Sequence, residues 1–460
     1  MLVRTSRASD RAPERRRGRR RAILAATGAA LAVLGAGAAF WLYQSSTYLQ
    51  SLWSREATTA AAILIFTATY AVIAIGKLPG SHLDRAGAAL LGASLMLATG
   101  LLSLEEAYRA IDVDAIALLL GMMIIVAHVR LSGFFNLVGN WIVTRAGHPI
   151  VLLAGVILIS GFFSAFLVND AICLALTPLV LDFVTRLRRN PLPYLLAVAM
   201  ASNIGSTATI TGNPQNIMIG SFSQIPYAAF AGALWPVAAF GLLLTFAFLL
   251  AFFPSEFLTR ARPRAEPLCK RVHTALLIKS VLVSAAMVAA CFAGQPPPKA
   301  ALIAGAFLLL TRRVKSEKIY ARIDWTLLLM FAGLFIVVAG FEKAVLTPEA
   351  IAAVGGLHLD HLPVLSAATA LLSNIVSNVP AVLVLKPFVA GLPDPQRAWL
   401  VIAMSSTVAG NLTLVGSMAN LIVVQVARAH GVRVGFWQYA RVGVPLTVLT
   451  LGIGLLWLQG

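Results

Sequence analysis

Charge is scarce in this chain. Only 12% of its 460 residues are charged, while 59% are hydrophobic. A soluble domain carries about a quarter charged residues, so a polytopic α-helical membrane protein is indicated instead. Cysteine is nearly missing. Cys173, Cys269 and Cys291 are scattered and form no CxxC pair or His/Cys cluster, so neither a disulfide framework nor a metal site is expected. No Walker loop, zinc spacing or nucleophile–base pairing occurs, which leaves an ATPase or a hydrolase unsupported. Acidic residues number 18 against 36 basic ones. The net charge of +18 could suggest nucleic acid. Most of it, however, sits in short segments between apolar runs and reads as a topology signal. No nucleic-acid partner and no cofactor is expected.

What is present begins with a basic arm, 1–21, and an apolar run from Ala22 to Tyr43. The arm reads as a cytoplasm-retained tail and the run as an uncleaved anchor. Further spans are expected at 57–76, 86–103, 114–130, 227–252, 273–294, 298–312, 324–341 and 434–459. Residues 131–148 suit the membrane interface. Two apolar runs, 149–181 and 362–391, carry polar residues near their middles and are expected to dip in and return. Two others, 191–224 and 396–428, hold helix-breaking stretches. About eleven crossings result, with the N-terminus cytoplasmic and the C-terminus periplasmic. On this topology the outer face keeps only Arg55, Arg109, Lys299, Lys343 and Arg397, and full crossing by either dipping run would spoil that bias.

The most polar stretch inside this apolar chain is SNIGSTATITGNPQNIMIG, 202–220. Gly205, Gly212 and Pro214 oppose a continuous helix there. At membrane depth an unwound polar backbone is tolerated only where it is packed in protein or lines a wet cavity. The candidate ligands are Ser202, Asn203, Thr207, Thr209, Thr211, Gly212, Asn213 and Asn216. A weak internal repeat supplies a second half. Ser164 to Pro178 aligns on Ser373 to Pro387 at a shift of 209, Met200 to Asn216 on Met404 to Asn420 at 204, and the run from Asp114 on that from Asp324 at 210. An odd number of crossings per repeat inverts the second copy, an arrangement that places a site at the bilayer midplane. The second half then consists of Ser377 and Asn378, with Asn411, Thr413, Gly416, Ser417 and Asn420. Pro214 and Pro380 are expected to mark structural breaks.

Asn169 and Asn378 stand at equivalent places, and an amide offers an oxygen to a cation and an NH2 to an anion. Asp170 is the sharpest single residue. A carboxylate near the bilayer centre faces a cavity or a partner, so it is a sodium ligand, a proton carrier or a helix cap. His128 reads as packing, and Lys279, Lys386 and Arg441 as snorkelling cations.

The motifs FLVNDAICLALTPLV (166–180), ASNIGSTATITGNPQNIMIG (201–220), SNIVSNVPAVLVLKP (373–387) and AGNLTLVGSMANLIV (409–423) resemble the ion transporter superfamily. That group takes in divalent-anion/sodium symporters, citrate transporters and arsenite permeases. The resemblance covers about 57–460, and the GNPQN form looks most like the bacterial anion-permease and arsenite-permease branches. It implies a homodimer in the inner membrane with elevator-like motion. The implied activity is transport of a small anion or oxyacid, with Na+ or H+ as the coupling ion. Each tip lacks hydroxyls that the sodium-coupled symporters carry, and the Asn169-Asp170 pair resembles the arsenite permeases. The domain reading is a basic arm (1–21), an extra helix and loop (22–56), repeat 1 (57–257), a cytoplasmic linker (258–272) and repeat 2 (273–460). The alternatives are arsenite efflux or Na+/H+ exchange on the same fold, and a membrane scaffold acting through the basic arm.

Overall fold

The computed structural model describes residues 55–76, 83–145, 148–258, 272–310, 314–346 and 358–459. The basic arm, the Ala22 to Tyr43 run and nearly all of the linker lie outside them. The described residues form twenty α-helices and two short 3-10 turns. Seven helices are long and apolar enough to cross a membrane, and five shorter ones are also apolar.

The chain divides into two compact units. The first comprises residues 1–111 and 326–353. It contains α1 (Arg55–Ile75), α2 (Arg85–Ala98), α3 (Leu104–Ala110) and nearly all of α15 (Trp325–Val345). Phe66 stacks on Tyr70 and on Phe341, at ring separations of 4.3 and 4.2 Å. Small residues let α2 and α15 meet closely: a Cβ on Gly333 would lie 2.7 Å from the Ala89 carbonyl carbon.

The second unit comprises residues 112–325 and 354–460. Its order is α4 (Val113–Leu131), α5 (Phe134–Arg145), α6 (Pro149–Phe166), α7 (Asn169–Arg186), α8 (Pro191–Ser206), α9 (Pro214–Ser223), α10 (Tyr227–Phe252) and α11 (Pro254–Phe257). Then come α12 (Thr274–Phe292), α13 (Pro297–Leu309), α14 (Ser316–Tyr320), α16 (Leu362–Val376), α17 (Asn378–Val389), α18 (Pro395–Val408), α19 (Met418–Ala429) and α20 (Phe436–Gln459). Four of these helices start alike. His148-Pro149, Asn190-Pro191, Asn213-Pro214 and Asp394-Pro395 each place a side-chain acceptor at the cap and a proline at the first helical position. The proline surrenders an N–H that no helix would have used, and the cap satisfies one that it leaves free.

The two expected hairpins and two broken helices are present. α6 and α7 fold back around Leu167-Val168, α16 and α17 around Ser377. α8 and α9 are separated by a 3-10 turn at Ile210–Gly212, and α18 and α19 by one at Ala409–Asn411 followed by a loop. The first hairpin is longer than 149–181. Each limb has 18 residues, about 27 Å of helix, against 15 and 12 in the second. Pro214 and Pro380 are not themselves the breaks. Pro214 opens α9, and Pro380 sits in the first turn of α17, where a missing N–H costs no helical hydrogen bond.

The repeat is visible in the packing, and it corrects one register. In the second unit a Cβ on Gly121 of α4 would lie 2.6 Å from the Ala301 carbonyl carbon of α13. Gly333 meets Ala89 in the same way, so both the glycines and the alanines are related by a shift of 212, not 210. Asp112, the side-chain cap of α4, is then the counterpart of Asp324, which directly precedes α15. The apolar runs after Asp114 and Asp324 are too uniform to fix a register; caps and close-packed glycines do so.

Candidate functional site

Every candidate site residue lies in the second unit. α8 is its axis: from Pro193 to Ser206 every residue is buried, against α6, α7, α10, α18 and α19. A helix buried on all sides can carry polar groups only if each finds a partner, and the partners here come mostly from the repeat.

The two asparagines that follow the breaks do the same work. Asn216 donates Nδ2 to the carbonyls of Ser206, Thr207 and Thr209, at 3.1, 3.4 and 3.0 Å. Asn420 donates Nδ2 to those of Gly410 and Thr413, at 2.7 and 3.2 Å. Ser206 and Gly410, like Thr209 and Thr413, are one shift of 204 apart. Each amide thus holds the carbonyls freed where its helix unwinds. Asn213 and Ser417 are likewise equivalent, and each caps the following helix, accepting from Asn216 N at 2.8 Å and Ala419 N at 3.2 Å.

Position 203 and its counterpart 407 reach across to the opposite break. Asn203 donates Nδ2 to Asn411 Oδ1 (2.8 Å) and Asn420 Oδ1 (3.0 Å), while its Oδ1 accepts from Ser417 Oγ (3.1 Å). Thr407 Oγ1 accepts from Asn213 Nδ2 (3.2 Å) and Gln215 Nε2 (3.1 Å). Asn411 also donates to Met200 O and accepts from Tyr439 OH.

Each hairpin tip joins this network through its asparagine. Asn169 donates Nδ2 to Asn203 Oδ1 at 3.1 Å. Its carbonyl accepts from Ser202 Oγ, which also pairs with Ser164 Oγ at 2.6 Å. Asn169 Oδ1 is buried with no partner. With its amide assigned the orientation that satisfies both ends, Asn378 turns Nδ2 to Ser406 O, Ser373 Oγ and Gly416 O, and its Oδ1 accepts from Gln215 Nε2 at 3.1 Å. Ser377 has φ +79° and ψ 160°, a region otherwise left to glycine; holding a serine there costs about 1–3 kcal/mol. Asp170, half-buried in the first turn of α7, makes no hydrogen bond or ion pair among the described residues.

The threonines divide. Thr207 bonds back to the Asn203 carbonyl. Thr209 donates to the Ala165 carbonyl at the end of α6 and pairs with Thr211, which pairs with Tyr227 OH at 2.8 Å. Thr413 donates to Asn374 Oδ1. Their hydroxyls serve the unwound backbone and its neighbours. Gly212 is a close approach, since a Cβ there would lie 2.1 Å from Ser206 O. A cavity of about 440 Å³ opens beside the first break, with Asp114, Ile217, Gln224, Tyr227 and Lys299 among its lining residues. His128 hydrogen-bonds the Ile124 carbonyl of its own helix at 2.8 Å, in keeping with packing. Lys279 donates to the Phe307 and Leu310 carbonyls at the end of α13.

Sequence reasoning missed Gln215, Thr407, Ser164, Ser373, Asn374, Tyr227 and Tyr439. Gln215 stands inside the GNPQN motif and Thr407 is the shift partner of Asn203, so both could have been found. Nothing local marks the two tyrosines, which arrive from the next helix.

Known proteins agree with this architecture. A family model described as Citrate transporter matches residues 70–409. A 46 kDa membrane protein of Mycobacterium leprae is 30% identical over 425 residues, covering 86% of this chain and 98% of that one. A silicon efflux transporter of Oryza sativa subsp. japonica is 28% identical, covering 82% of this chain and 93% of that one. Among solved structures, the Alcanivorax borkumensis YdaH transporter superposes with a TM-score of 0.57 at 16% identity, over 86% of this chain and 96% of that one, a likeness of fold. With paired hairpins, paired breaks and a matched stretch of this length, the chain belongs to the citrate transporter family of membrane transporters.

Proposed function

We propose that this protein is a secondary transporter that moves a small anion or oxyacid across the inner membrane, driven by a cation gradient. The observation that carries this reading is Asn169 Oδ1, a buried acceptor with no hydrogen-bond partner, followed in the chain by Asp170, whose carboxylate makes no hydrogen bond or ion pair among the described residues. An unsatisfied buried acceptor costs about 1–3 kcal/mol, and a bound cation relieves it. The solute sits between the tips, where amide NH2 groups and unwound backbone converge. The topology has the N-terminus inside, repeats over 57–257 and 273–460, and both hairpins re-entrant. The protein works as a homodimer with elevator-like motion.

A second reading shares this site and reverses the direction. A relative named as a silicon efflux transporter favours export of a small oxyacid, with Asp170 carrying a proton inward.

Flux into proteoliposomes under imposed sodium or proton gradients tests both, screened with succinate, citrate, sulfate, phosphate and arsenite. Gradient-driven flux should fall at least tenfold in Asn169→Ala. A proton-driven flux that loses its pH dependence in Asp170→Asn supports the second reading. Flux indifferent to every gradient and to Asn169→Ala would overturn both.

A further inference from the structure

The two tips occupy equivalent places in the repeat but differ in what faces their asparagines. Gln215, 2% exposed, spends its amide nitrogen on two acceptors, Asn378 Oδ1 and Thr407 Oγ1, both at 3.1 Å. A shift of 204 carries Gln215 to Ala419, whose methyl group donates nothing. The same relation carries Thr407 to Asn203, and the hairpin shift of 209 carries Asn378 to Asn169. The first tip therefore presents an amide acceptor at the equivalent place with no counterpart of the Gln215 donor. Asn203 Oδ1 is taken up by Asn169 Nδ2 and Ser417 Oγ, and Asn169 Oδ1, on a side chain 3% exposed, is left over. Next to it stands Asp170, where the second tip has Val379.

An amide NH2 aimed at two oxygens does electrostatically what a small monovalent cation does there: it places positive charge density between converging oxygen lone pairs. It does so without a net charge and without leaving. An amide oxygen is also too weak a base to hold a proton near neutral pH, so the vacant acceptor at the first tip suits a sodium-class ion.

We propose that Gln215 fills the cation position of the second tip from within, so that each chain binds a single coupling sodium ion, at the first tip and through Asn169 Oδ1. The inference rests on the transport reading above and narrows it to a stoichiometry. Gln215 acts here as a tethered substitute for an ion, and its partners Asn378 and Thr407 are positioned by it.

Binding of radioactive sodium to the purified full-length protein reads this directly, alongside sodium-dependent flux. The wild type should saturate at about one ion per chain with a Hill coefficient near one. Gln215→Ala, which copies Ala419, should free Asn378 Oδ1 and raise the stoichiometry toward about two ions per chain, with the Hill coefficient at one or above. Gln215→Lys returns a tethered positive charge and should hold the stoichiometry near one, which covers the case in which the alanine variant does not fold. Two ions in the wild type would overturn the proposal while leaving sodium-coupled transport intact. No change between wild type and a folded Gln215→Ala would overturn it as well. Proton-driven flux with no sodium binding would remove the sodium site and leave transport through Asp170 standing.

Discussion

The first break, from Thr207 to Asn213, is buried at every residue, while the second is open from Leu412 to Val415, with Val415 60% exposed. The 3-10 turn stands directly before the cap of α9 in the first break, but at the end of α18 and ahead of a loop in the second, and a few side chains differ as well. Thr211 joins Tyr227 and Thr209, and through Thr209 reaches the end of α6; its counterpart is Val415, which extends no such chain. Positions that are identical in the two halves serve the unwound backbone: Asn216 and Asn420 hold carbonyls, Gly212 and Gly416 allow close approach, Ser164 and Ser373 bind the axial helices. Positions that differ leave the halves chemically unequal: Asp170 against Val379, Gln215 against Ala419, Thr211 against Val415. In an inverted repeat, agreement between the copies thus points to architecture, and disagreement points to the groups that distinguish one tip from the other.

The strongest test of that contrast is at the paired glycines. A Cβ on Gly212 would lie 2.1 Å from the Ser206 carbonyl oxygen, which is backbone and cannot step aside. A Cβ on Gly416 would first meet Asn374 Oδ1 at 2.7 Å, a side chain that can turn away, and Gly410 O at 3.1 Å. Overpacking of a close-packed site costs about 1–3 kcal/mol and sometimes more. Gly212→Ala should sit at the top of that range or prevent recovery of folded protein, and Gly416→Ala near the bottom. Thermal midpoints in detergent check this, and equal losses would mean that the first break is no tighter than the second.

A smaller effect is expected at the paired asparagines. Asn216→Ala leaves three carbonyls without their amide and Asn420→Ala leaves two, at a cost of about 1–3 kcal/mol each. The loss should be greater at Asn216, because water can reach the Thr413 side of the second break but not the first. Urea or thermal unfolding of the two variants measures the order. A larger loss at Asn420 would show that exposure of the second loop does not relieve its backbone.

Much of this is legible in the sequence itself. Apolar runs bounded by Gly, Pro and charge located the helices to within a few residues, and α10 matches its expected limits, 227–252. The repeat at 204 located the second break because Gly and Asn recur at backbone positions that constrain residue type. What escaped was whatever depends on a partner far along the chain. Gln215 reads as one more polar residue until Asn378, 163 positions later, is seen against it. Tyr439 reaches Asn411 only because α20 packs beside the second break. The register at Asp112 was hidden by uniform leucine and isoleucine, whose burial is the same at neighbouring positions. Asn169 and Asn378 looked equivalent, and only the geometry separates the satisfied amide from the one with a vacant oxygen.

The smallest expected effect contrasts the two halves at their periphery. In the first unit Lys343 Nζ lies 2.6 Å from Glu106 Oε1, and the Ser103 N–H donates to Glu106 Oε2 at 2.7 Å. The Lys343 hydrogen bond, reinforced by that backbone N–H, holds the Glu106 carboxyl at about 2, below its ordinary 4.5. A carboxyl depressed on folding stabilises the folded state fully above about pH 4.5, and the contribution fades as pH falls toward 2. At the related place, a shift of 212 away, α14 carries Lys318, which makes no ion pair among the described residues. Glu106→Gln should lower the melting temperature near pH 7 by on the order of 1 °C, because exposed pairs are screened by water. The difference from wild type should shrink as the pH approaches 2, where the wild-type carboxyl takes up its proton. A difference that persisted unchanged at pH 2 would assign the loss to packing of α3, and Glu106 would then be no more than a cap.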